Sequence, residues 1–100
     1  MNEELAIKMI GKVVLVGITV MEHNGEIIGY EQYYGTILRI SEAEGMIILR
    51  GDNNEEMWLP PALEEYKAAE PGDYRLKSTG LVVSNPDYLA TWNRRAPQSN

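Results

Sequence analysis

The chain carries one histidine and no cysteine, so the side chains that most often perform chemistry are nearly missing. His23 stands directly before Asn24-Gly25, a pair whose tolerance of positive φ makes it the strongest hairpin signal in the sequence. A general base needs an orienting partner and a pocket, and a hairpin tip offers neither. Without thiolates and with one imidazole, no structural zinc site can be assembled, and disulfides are excluded. The oxygen-rich run Asp52-Asn53-Asn54-Glu55-Glu56 opens like a calcium loop, with ligands at alternate positions. It then departs from that pattern: Met57 stands at the glycine position and Leu63 at that of the bidentate glutamate. A solvated turn between strands explains it better.

Carboxylates also come in pairs, Glu55-Glu56 and Glu64-Glu65. Glycoside hydrolysis needs two carboxyls facing each other across a cleft. Neighbours in a strand point to opposite faces, and neighbours in a helix diverge by about 100°. Both pairs read as solvated. The nine glycines spell neither a phosphate loop nor a dinucleotide fingerprint, and the four serines lack the nucleophile-elbow context. Neither an enzyme nor a bound cofactor or metal is expected.

The aromatic residues are more informative. Six tyrosines and two tryptophans occur with no phenylalanine, so every ring carries a polar handle suited to half-buried sites. Tyr30, Tyr33 and Tyr34 in one strand, with Trp58 in another, are the candidate binding residues of a patch for a protein partner. Such rings can also stack nucleobases, but the charge has the wrong sign. Nine Lys and Arg against fifteen Asp and Glu leave a net charge of −6. Because Arg94 and Arg95 lie near the end, residues 1–93 hold seven cations against fifteen anions, a net −8. That field repels a phosphate backbone and attracts basic partners. A basic protein partner is expected, and nucleic acid is not.

The elements that must position these residues are short. Residues 2–10 read as a helix, with Asn2 as cap, Glu3 and Glu4 at the positive end of the dipole, and Leu5, Ala6, Met9 and Ile10 on one face. Lys12 to Glu22 is apolar on both alternating faces, as in a central or strongly bent strand. Its longest apolar stretch, Val13 to Met21, falls far short of the roughly 20 residues of a membrane helix. The return run Glu26 to Ile40 is long for one strand, and Gly29 and Gly35 are places where it could kink. Alternation sets Tyr30, Gln32 and Tyr34 on one face, and Glu31 and Tyr33 on the other.

Strands at Met46 to Arg50 and Glu55 to Leu59 follow, ended by Pro60-Pro61. Ala62 to Ala69 reads as two helical turns, and Tyr74 to Lys77 with Leu81 to Val83 as a hairpin through Ser78-Thr79-Gly80. Asn85-Pro86-Asp87 reads as the start of a further helical turn carrying Tyr88, Leu89 and Trp92. The expected fold is therefore mainly β: a small, strongly bent antiparallel barrel with an N-terminal helix and short helical turns. A single domain over 1–93 precedes a polar, disordered tail at 94–100. The expected core is Val14, Val16, Ile18, Ile37, Ile48, Leu49, Leu76 and Val82. An acidic N-terminus without an apolar leader makes a soluble cytoplasmic protein the expectation.

A short helix followed by bent strands resembles the layout of Sm-like and SH3-like small barrels. Gly35-Thr36-Ile37-Leu38-Arg39-Ile40 and Met46-Ile47-Ile48-Leu49 resemble the first Sm motif, a glycine-led strand followed by an apolar one. Ala43 and Gly45 stand near where that motif carries Asp and Asn, and no Arg-Gly signature follows Trp58. Those residues would hold RNA, so the resemblance implies fold alone, over residues 2–60. The second half, from Leu59-Pro60-Pro61 to Pro86-Asp87-Tyr88, is similar to small bacterial proteins of unassigned function. A non-enzymatic protein-interaction module is the expected function. The rivals are an RNA-binding Sm-like ring, a small-ligand binder, and a homo-oligomer built on an apolar patch or a paired edge strand.

Overall fold

The computed structural model describes residues 2–77 and 79–96. Its first element, α1 (Glu3–Met9), is capped by Asn2, whose Oδ1 accepts the Leu5 N–H at 3.1 Å. Ala6 and Met9 turn inward and are buried. The Gly11 N–H then donates to the Ile37 carbonyl at 2.8 Å, which fastens the end of this short helix to the sheet. Seven residues would not hold a helix in isolation.

Six strands form one sheet: β1 (Val13–Met21), β2 (Ile27–Ser41), β3 (Gly45–Arg50), β4 (Glu56–Leu59), β5 (Lys67–Ala68) and β8 (Tyr88–Arg95). Their order is β4-β3-β2-β1-β8-β5. The meander β1 to β4 is antiparallel, as is β5 on β8, but β8 runs parallel to β1. β6 (Asp73–Arg75) and β7 (Val82–Ser84) make a separate hairpin. Among the described residues the two edges, β4 and β5, do not pair. The sheet is therefore not closed into a barrel, and it is mixed rather than purely antiparallel.

β2 serves two neighbours in succession, and Gly35 is the pivot, paired with Val14 on one side and Arg50 on the other. A Cβ there would overlap the Leu49 carbonyl oxygen, so only glycine permits so close an approach. Past the pivot the register shifts between Ile37 and Arg39, which places Ile37 and then Ile40 toward the core cluster.

One face of the sheet wraps the main core, built from Met9, Val14, Val16, Ile37, Met46, Ile48 and Leu59, with Leu63, Tyr66 and Ala90 around them. On the opposite face Leu15 packs with Leu76 and Val83 of the hairpin. Of the expected core, Val14, Val16, Ile37, Ile48 and Leu76 are buried, while Ile18 and Leu49 are only half-buried. Val82 is 48 % exposed and Val83 lies inside instead, because the β6–β7 register sets Val83 opposite the half-buried Tyr74.

Two expected helical segments are not helices. Between 62 and 69 only Leu63–Glu65 forms a 3-10 turn, and the chain then extends into β5. Tyr66 explains the break: it is buried, and its hydroxyl donates to the Pro60 carbonyl at 2.7 Å, an inward position an outward-facing helix would not provide. The segment after Asn85-Pro86-Asp87 is the strand β8. Asp87 is the cause, because its Oδ2 accepts the Val13 N–H and its own N–H donates to the Val13 carbonyl, each at 2.8 Å. This clamp starts β8 alongside β1. β8 continues to Arg95, two residues past the boundary expected at 93, and residues 97–100 of the expected tail lie outside the described residues. Among the described residues no helix is long and apolar enough to cross a membrane.

Candidate functional site

α1 covers the inner face of the sheet at the end where β1 begins. Further along β1 the same face is uncovered. Register sets Ile18 beside Glu31 of β2 and beside Trp92 of β8, so three neighbouring strands present these side chains in one row. On the far side β4 contributes Met57, and residues 60–66 carry the chain across from β4 to β5. The result is a groove of about 530 Å³, lined among others by Ile18, Tyr33, Met57, Pro60, Trp92 and Arg94. Its volume lies within the roughly 300–1,000 Å³ typical of ligand sites.

One wall is apolar and aromatic. Trp92 is half-buried, with its ring set edge-on to Tyr66 at 5.1 Å between centroids. Trp58 stands at the rim, 58 % exposed. Its indole lies against Gly45, whose φ of +82° and lack of a Cβ leave room for the ring.

The other side is a connected polar strap. Glu31 accepts the Tyr33 hydroxyl at 2.9 Å on one oxygen and Arg94 at 2.6 Å on the other. The Arg50 guanidinium sits 4.7 Å from the centre of the Tyr33 ring, within cation–π range. Arg50 also makes a two-pronged pair with Asp52 at 3.1 and 2.7 Å. Burial first, and donation to Glu31 second, push the Tyr33 phenol above its usual range. Donation from Arg50 holds the Asp52 carboxyl below its usual range. Burial likewise pushes the Tyr66 phenol up. Among the described residues every charge in the strap has a partner. The groove can bind, and it can discriminate by shape and charge.

Of the four candidate residues, Tyr33 and Trp58 line this groove. Tyr30 and Tyr34 lie on the opposite face, as strand alternation requires. Tyr30 is 69 % exposed beside a second groove of about 410 Å³ that includes Thr19, Gln32 and Lys77. Tyr34 packs over Gly51 and against the second apolar cluster. The four do not form one patch. His23 is exposed at the hairpin tip, where its carbonyl accepts Arg95 at 2.9 Å.

In the loop at 52–56, Asp52 pairs with Arg50, and Asn53 bonds both the Glu55 N–H and the Glu55 carboxylate. Among the described residues no three His, Asp or Glu side chains gather as metal ligands. Sequence reasoning missed Trp92, Met57, Arg50 and Arg94. The available signal was the alternation of Tyr88, Ala90 and Trp92 against Leu89, Thr91 and Asn93, which fits a strand as well as a helical turn.

The charge along the chain is uneven. Residues 52–65 carry five carboxylates and no cation. Asp52 and Glu56 are paired, with Arg50 and Arg39. Glu55, Glu64 and Glu65 have no ion pair among the described residues. Comparison of the chain with family models, with curated proteins and with solved structures gives no match.

Proposed function

We propose that the protein is a non-enzymatic interaction module that holds a basic protein partner in the groove beside Trp92. The observation that carries this reading is an aromatic groove left open on an otherwise well-covered sheet face. Large rings at the rim of a concave site are the residues that most often dominate protein recognition. The net charge of −6 favours a partner of opposite sign. We further propose a cytoplasmic setting and kinship with Sm-like and SH3-like barrels, of which this would be a half-open form. The N-terminal helix and the doubly paired β2 support that kinship. A second reading, a small-ligand binder, draws support from the groove volume alone.

A photo-crosslinking diazirine residue in place of Met57, which lines the groove, is to be compared with one in place of Thr19 on the opposite face. The proposal expects a protein to be captured from dialysed cell lysate at position 57 and not at 19. Capture should be lost near 1 M salt, where screening is nearly complete (Debye length about 3 Å). No captured protein at 57, or the same proteins at both positions, would overturn it.

A further inference from the structure

We infer that the groove takes its partner as an added β-strand, an extended basic peptide laid along the outer edge of β8. The inference rests on the reading of the protein as an interaction module and names the mode of binding. β8 pairs with β1 along its full length, Tyr88 to Arg95, but β5 covers only Tyr88 and Leu89 on the other side. From Ala90 to Arg95 that outer edge has no strand beside it among the described residues.

The direction of the backbone groups there follows from the far end of the strand. Ala96 N–H donates to the Met21 carbonyl on the β1 side at 2.7 Å, which fixes the phase. Side alternates from residue to residue along a strand. Thr91, Asn93 and Arg95 therefore turn their N–H and C=O groups outward, while Ala90, Trp92 and Arg94 turn theirs to β1. Three consecutive outward positions make a template for strand addition.

Position and charge match this template to the groove. Trp92, Asn93 and Arg94 of this edge line the groove together with Met57, Trp58, Leu59 and Pro60 of β4. A strand added to β8 continues the sheet toward β4, and its alternate side chains fall on the inner face beside Trp92. Facing it are Met57, Trp58, Leu59 and Pro60, which carry no cation, and the chain as a whole has a net charge of −6. The charge of Arg94 is offset by Glu31, and Arg95 is drawn to the hairpin tip by the carbonyls of Glu22 and His23.

The test uses a blocked heptapeptide in which lysine alternates with valine around a central tryptophan. Its affinity for the full chain is measured by calorimetry, and amide exchange is followed by NMR. The inference expects saturable binding and slowed exchange at Thr91, Asn93 and Arg95. N-methylation of alternate peptide amides along one edge should weaken binding about tenfold or more, since each lost bond matters. The acidic analogue, with glutamate for lysine, should bind far more weakly.

Absence of binding, binding without protection of those amides, insensitivity to N-methylation at both edges, or equal binding of the acidic analogue would each overturn the inference. Light scattering that shows a dimer whose β8 edge is already protected would assign the edge to a second copy, and would overturn it too. Crosslinking at position 57 keeps the two claims separate. A protein captured there without any strand signature leaves the module standing and removes the strand. No captured protein removes the module itself.

Discussion

The two ends of the sheet's inner face are built from the same strands and differ in what covers them. Where β1 begins, Met9 of α1 drops onto Val14 and Val16, and all three are fully buried. Four residues further along β1 from Val14, Ile18 is only half-buried, and Trp92 and Tyr33 are exposed to a groove. The apolar pattern of β1 does not change between these points. What changes is the presence of a helix that a seven-residue segment happens to supply at one end only. A strand's hydrophobic pattern thus records a face meant to be covered, without recording by what.

Substitutions at the covered end should cost most. Gly35→Val, which forces a side chain into the Leu49 carbonyl, is expected to destabilise by about 3 kcal/mol or more. Met9→Ala, from a fully buried site, should lose about 3 kcal/mol. Chemical denaturation measures both, and losses below about 1 kcal/mol would erase the contrast between the two ends. At the open end Trp92→Ala should lose about 2 kcal/mol, less than a buried tryptophan because part of its ring is already wet. It should nevertheless abolish capture of a partner. Glu31→Gln should change stability by about 1 kcal/mol or less, since its pair with Arg94 leaves the two side chains 37 % and 46 % exposed.

The smallest effect concerns pH. Tyr33 and Tyr66 hold their phenolic protons more tightly when folded than their ordinary value of 10.0 implies. Above that value the unfolded chain releases protons that the folded protein keeps, so stability falls as pH rises past it. Below it both states are protonated and the term vanishes. Ultraviolet titration should show these two phenols ionising late, and Tyr66→Phe should flatten the alkaline loss of stability.

Much of this architecture was legible. The Asn24-Gly25 turn, the bend at Gly35 and the stop at Pro60 are local chemistry, and local chemistry is written in adjacent residues. So was the division of the tyrosines between two faces, which alternation alone dictates. β8 was not legible. Its partner β1 begins 75 residues earlier, and the clamp that pairs them is one carboxylate, Asp87, on the Val13 amide. Nothing near Trp92 in sequence says that it will stand beside Ile18. The groove was hidden for the same reason, because it exists only once β8 and β4 are set on opposite sides of it.

Amide hydrogen exchange of the free monomer tests the open edge most directly. Thr91, Asn93 and Arg95 should exchange rapidly while Ala90, Trp92 and Arg94, turned toward β1, exchange slowly. Uniformly slow exchange from Ala90 to Arg95 would mean that the outer side of β8 is already occupied, and the account of an available edge would fail.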